Sequence, residues 1–151
     1  ALPISLPIRR VLLGRKRSAP IRYPELLFAP ALLLATMVAY ATGLFSISGG
    51  VVWIPFQAAV VGVLAGCWAG YSRRGMLSAW MLAYASLLGY LAYHAVFGLS
   101  GRSPVERAAY FFSPDGQAFL AVEAAALGTI AFVVGTAARR VVGSIRGGTA
   151  E

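Results

Sequence analysis

Four long apolar stretches, at residues 26–47, 51–71, 76–98 and 117–138, divide this chain, and its basic residues gather outside them. Each stretch is roughly 21–23 residues long, and about 20 helical residues cross the hydrocarbon core of a bilayer. Arg9, Arg10, Arg15, Lys16, Arg17 and Arg22 precede the first stretch. Arg73 and Arg74 separate the second from the third, and Arg139 and Arg140 follow the fourth. The short link at residues 46–51 carries no charge. Basic residues collect at the cytoplasmic ends of membrane spans. The pattern therefore predicts an all-α integral membrane protein with four transmembrane helices in antiparallel, up-and-down order. Both termini are expected in the cytoplasm, and the plasma membrane is the expected location.

Composition agrees with that class. Of 151 residues, 59% are hydrophobic and only 12% charged, and the mean hydropathy is +0.74. A soluble domain carries about a quarter charged residues, so a water-soluble fold would lack polar surface. The net charge of +8 would suit nucleic acid on a soluble chain. Here the cations flank spans, where they anchor topology and touch anionic headgroups. Membrane lipids are the expected contact and nucleic acid is not. Cys67 is the single cysteine, which rules out an internal disulfide or dithiol pair and reads as a small packing residue. No metal or other cofactor is expected. Arg15-Lys16-Arg17 and the small-x-small Ala39-Tyr40-Ala41 have the shape of a cleavable leader. The apolar run continues through Phe45, so the segment is read as a retained span.

Residues 1–23 form a basic arm in which Pro3, Pro7 and Pro20 prevent one continuous helix. Pro30 either kinks the first span or starts it. In the second span, Ala58, Gly62, Gly66 and Gly70 recur every fourth residue. That spacing makes a small-residue face suited to close helix packing, against this chain or another. The third span carries Trp80, Tyr84, Tyr90, Tyr93 and Phe97, an interfacial aromatic pattern. In the loop at residues 99–116, Ser103-Pro104-Val105-Glu106 reads as a capping box with proline at the first helical position. It predicts a short interfacial helix over 104–112. Ser113-Pro114-Asp115-Gly116 is expected to turn the chain into the fourth span. Arg102, Glu106, Arg107 and Asp115 leave the loop neutral, which suits the outer side. Residues 24–140 thus make the transmembrane domain, and 141–151 a flexible cytoplasmic tail.

Counting depth from the outer ends brings distant residues into one layer. At about 1.5 Å per residue, Gln57 and Glu123 lie roughly 9 Å inside their spans and His94 roughly 6 Å. Tyr90 lies one turn deeper than His94, and Tyr40 falls nearby. Tyr40, Gln57, Tyr90, His94 and Glu123 are therefore expected to meet in the outer leaflet. Ionisable groups inside a membrane are costly and mark functional sites by default. Glu123 is expected to be neutral or paired with His94. The same residues also suit plain interhelical hydrogen bonding.

Three functions fit. The first is an accessory or structural subunit of a larger membrane complex, with other membrane protein chains as partners; a homo-oligomer of this chain is the other partner arrangement expected. The second is a small oligomeric transporter or channel using Gln57, His94 and Glu123. The third is a lipid-modifying membrane enzyme whose cytoplasmic arginines hold phosphate. The sequence shows no nucleophile triad, phosphate loop or paired catalytic carboxylates, and no catalytic residue is assigned.

Overall fold

The computed structural model describes residues 5–14, 24–47 and 54–147. Among them the chain is all helical, with six α-helices, one π-helical turn and no strand. They are α1 (Ser5–Leu13), α2 (Pro24–Ala41), α3 (Phe56–Tyr71), α4 (Met76–Tyr93), α5 (Pro104–Phe111) and α6 (Pro114–Gly147). The π turn, His94–Gly98, extends α4. Two helices are long and apolar enough to cross a membrane: Met76–Gly98 and Pro114–Gly147. The apolar helices Leu27–Ala41 and Phe56–Tyr71 are shorter.

Several boundaries depart from the hydropathy pattern, each for a local reason. The first span was expected to reach residue 47, but α2 stops at Ala41. Gly43 takes φ +75°, a left-handed conformation that glycine adopts without steric cost. Its N–H returns to the Tyr40 carbonyl at 3.2 Å, and the Phe45 N–H to that of Ala39 at 3.0 Å. The second span was expected from residue 51, but α3 starts at Phe56, after Pro55 in extended backbone. Residues 48–53 lie outside the described residues. Helix α2 runs through Pro30, which has no N–H to return to the Leu26 carbonyl.

Helix α5 forms where the capping box predicts it. The Ser103 side chain accepts from the Glu106 N–H, and the Glu106 carboxylate accepts from the Ser103 N–H. Ser113-Pro114-Asp115-Gly116, expected as a turn, instead opens α6: Pro114 is its first residue, and the Gln117 N–H reaches the Ser113 carbonyl at 3.0 Å. Proline at the first position and an acid in the first turn favour a helix start there. At its far end α6 runs on to Gly147, beyond the expected exit at 138 and into the segment read as a flexible tail. In the arm, Pro7 sits in the first turn of α1, where its missing N–H costs no hydrogen bond.

Helix α4 is the hub, packing against α1, α2, α3 and α6, while α3 and α6 also pack together. Small residues set how closely the axes approach. A methyl group built on Gly62 would lie 3.1 Å from Ala83 Cα, and one on Gly66 would lie 2.8 Å from Ala131 Cβ. On Gly70 and Gly135 it would overlap the backbone of Phe132 and Cys67. The face at Ala58, Gly62, Gly66 and Gly70 is buried against α4 and α6 of the same chain, so it is not open to a partner. Gly62 facing Ala83 and Gly66 facing Ala79 make α3 and α4 antiparallel. Thr36 beside Ser86 and Tyr40 beside Tyr90 make α2 parallel to α4.

Most of the described basic residues gather at one end. Gly75, at φ +98°, brings the 72–75 turn against the backbone of Leu12–Gly14, at the end of α1. Arg139 Nη1 donates to the carbonyls of Gly70 at 3.1 Å and Tyr71 at 3.3 Å, closing the end of α3. The Arg74 guanidinium lies 4.1 Å over the Trp68 ring and 5.8 Å over Phe28, tying α2 to α3. Arg9, Arg10, Arg73 and Arg140 are exposed at this end. Arg15, Lys16, Arg17 and Arg22 lie outside the described residues.

Gly135→Ala is expected to lower stability by about 1–3 kcal/mol, because the added methyl forces α3 and α6 apart. Gly143→Ala, where a methyl meets nothing, is expected to add about 0.5–1 kcal/mol. Thermal unfolding in mild detergent checks both, and equal tolerance of the two would contradict the close α3–α6 approach.

Candidate functional site

Of the residues expected to share one layer, contacts link Tyr40, Gln57, Tyr90 and His94, around Tyr40, at the end opposite Arg74 and Arg139. The Tyr40 side chain is 3% exposed and packs with Ala58, Ala83, Leu87 and Ala124. Its hydroxyl donates to Gln57 Oε1 at 3.4 Å and accepts from the Ala58 N–H at 3.3 Å. The second bond has a clear origin. The first N–H groups of a helix lack intrahelical partners, and Pro55 supplies no side-chain cap to α3. A tyrosine from α2 therefore caps the start of α3. Gln57 Nε2 reaches on to Ser46 Oγ at 3.4 Å, joining the segment after α2 to the first turn of α3.

Aromatic contacts carry the cluster outward. The Tyr40 ring meets Tyr90 edge-on at 5.1 Å and stacks on Tyr93 at 5.5 Å. Tyr90 stacks with His94 at 6.3 Å, and His94 lies 5.6 Å from Tyr110 of α5. The π turn leaves the imidazole over Gly98, where a methyl would lie 2.6 Å from His94 Nδ1. His94 therefore joins the end of α4 to the loop helix.

Glu123 is on the level of this cluster without belonging to its bonds. Gln57 and Glu123 each immediately precede a member of the same packed group, Ala58 and Ala124. However, α3 starts at Phe56, so Gln57 sits in its first turn and not roughly 9 Å inside. Glu123 lies nine residues into α6, about 13 Å from its start. Among the described residues no hydrogen bond or ion pair joins Glu123 to His94. Glu123 Oε1 is buried with no hydrogen-bond partner, as is Thr136 Oγ1. No three His, Cys, Asp or Glu residues converge as a metal-binding group among the described residues.

Other polar contacts escaped the sequence reading. Ser86 Oγ donates to the Ala58 carbonyl at 2.6 Å, with Thr36 Oγ1 3.5 Å away, joining α2, α3 and α4. Trp80 Nε1 donates to Thr129 Oγ1 at 2.9 Å, joining α4 to α6. The Tyr84 hydroxyl donates to Gln117 Oε1, and Gln117 Nε2 donates to the last carbonyl of α5, at Phe111. Their only sequence signal was a hydroxyl or amide inside an apolar stretch. Chemically, the arrangement holds helices in register, and Glu123 keeps a buried oxygen without a partner.

Compared with known proteins, the chain matches no family model, no curated protein and no solved structure.

Tyr40→Phe removes the cap of α3 and is expected to cost about 0.6–1.7 kcal/mol, the range of interhelical hydrogen bonds in membranes. Tyr71→Phe, at the exposed end of α3, is expected to change little. Thermal unfolding of both variants in mild detergent separates the cases, and a Tyr40→Phe protein as stable as wild type would contradict the cap.

Outside the apolar helices, the backbone and hydroxyl of Ser103 hold the Glu106 carboxyl below the usual glutamate range. A carboxylate with a depressed folded pKa stabilises above its unfolded value, and that contribution disappears as pH falls through the folded value. The protection of the Glu106 and Arg107 amides, the slowing of their exchange relative to an unstructured chain at the same pH, should therefore fall as the pH drops below the ordinary glutamate range. Ser103→Ala should speed exchange already at neutral pH. A pH-independent α5 would contradict the box.

Proposed function

We propose that this chain is a four-span plasma-membrane protein with both termini cytoplasmic, serving as an accessory, structural subunit of a larger membrane complex. Membrane residence is supported by how little of the apolar surface the chain covers for itself. Only 28% of the most apolar stretch of α6 is buried, and 44% of that of α4. Leu27, Leu34 and Val38 of α2 and Phe119, Val122, Ile130 and Val133 of α6 point outward. In water such surface costs about 25 cal/mol per Å², and in lipid nothing. Helices α2 and α3, of 18 and 16 residues, reach about 27 and 24 Å, close to a core of about 30 Å. The gathering of exposed arginines at one end supports a cytoplasmic assignment for that end.

The observation that carries the subunit reading is the commitment of the interior polar groups. Tyr40, Ser86, Trp80 and Tyr84 each bond across a helix interface, so these groups are spent on joining helices. Meanwhile the outer faces of α2 and α6 are broad and uncovered. Anionic headgroups are the proposed contact of Arg9, Arg10, Arg73 and Arg140, and another membrane chain is the proposed contact of the apolar faces. Purification from native membranes in mild detergent should retain a stoichiometric second protein. A clean monomer or homo-oligomer would sink the subunit reading.

The transport reading is kept alive by one atom, the buried and unmatched Glu123 Oε1. If Glu123 lies on a cation or proton path, liposomes with wild-type protein should show a flux that Glu123→Gln abolishes. Equal flux in both, or none in either, would remove this alternative.

A further inference from the structure

A groove of about 450 Å³ lies between the end of α4 and α5, within the range of about 300–1,000 Å³ typical of ligand sites. Ala92, Ala95, Val96, Ala108 and Phe111 line it, and Arg107 is its one charged wall. The arginine is held rigidly. Nε donates to the Arg102 carbonyl at 3.1 Å, Nη1 to Val96 at 3.2 Å and Nη2 to Ser100 at 2.7 Å. These are neutral acceptors. No carboxylate pairs with Arg107 among the described residues, and the neighbouring Glu106 is turned to Ser103. A guanidinium has five N–H groups, so two remain for a further acceptor.

We propose that this groove binds a glycerophospholipid, with one acyl chain along the apolar wall and the phosphate on Arg107. An apolar trough ending in an uncompensated, fixed cation complements an amphipathic ligand with an anionic head. Guanidinium and phosphate match in geometry as well as charge. On the membrane reading, on which this proposal rests, the groove opens at the outer interface, at headgroup level. Tyr93, Phe97 and Tyr110 cluster at the same level, as interfacial aromatics do. The bound lipid would tie the loop helix to α4.

The test uses the full chain in phosphatidylcholine vesicles containing a photoreactive acyl probe, either as phosphatidic acid or as the phosphate-free diacylglycerol. Labelled residues are mapped by mass spectrometry. The phosphatidic acid probe should label Ala92, Val96 and Phe111 about tenfold more than the diacylglycerol probe does, the factor expected of one charge-assisted contact. Arg107→Gln should erase that difference. Ala108→Trp, which leaves the Arg107 bonds in place, should abolish groove labelling by filling the trough. Equal labelling by the two probes, or groove labelling unchanged in Ala108→Trp, overturns the proposal. So does a groove shielded by a partner chain or a second copy. Val122 and Val133 on the outer face of α6 report membrane insertion separately. If they stay unlabelled by either probe, the membrane reading itself fails and takes this proposal with it.

Discussion

Close backbone contact around α4 is the constraint on which the other contacts depend. Alanine and glycine at Ala79, Ala83 and Gly89 let α3, α6 and α2 approach one helix from three sides, with the Leu33 carbonyl 2.6 Å from where a methyl on Gly89 would stand. At that separation short side chains reach across, so Ser86 can bond the Ala58 carbonyl and Trp80 can bond Thr129. Larger residues at these positions would part the helices and leave the same polar groups unmatched. In lipid, where hydrophobic burial between helices gives no drive, such packing and bonding are what hold a bundle together.

The two ends of the bundle are built by different chemistry. At the arginine-rich end, cations close helix ends: Arg139 covers the last carbonyls of α3, and Arg74 lies on Trp68. At the other end an aromatic column runs from Tyr40 through Tyr90 and His94 to Tyr110. Arg107 and the Ser103–Glu106 box then fix the loop helix over it. The cation-rich end suits a headgroup layer, and the aromatic end suits an interface that also meets the loop helix.

Helix content was legible in the sequence, because period, capping and apolar length are local properties. The capping box at Ser103 was readable for that reason. The same grammar at Ser113-Pro114-Asp115 was read as a turn, since the apolar run begins only afterwards. Hydropathy also placed helix ends wrongly around residues 42–55, where Gly43 and Pro55, both apolar or neutral on such a scale, break the backbone. The partner of the Ala58–Gly70 face could not be read, because periodicity shows a face and not what covers it. Of the two states open to Glu123, neutral or paired with His94, the paired one is not seen, because depth fixes a level but not a direction around the helix. His94 turns toward Tyr110, while Glu123 follows α6.

Topology is the claim on which the functional readings rest, and site-directed labelling in intact cells tests it most directly. In a Cys67→Ala background, Gly101→Cys in the exposed loop should react with a membrane-impermeant maleimide from outside. Ile8→Cys in α1 and Gly147→Cys at the end of α6 should react only after the cells are opened. Labelling of Ile8→Cys or Gly147→Cys from outside, or protection of Gly101→Cys, would contradict a four-span protein with both termini in the cytoplasm.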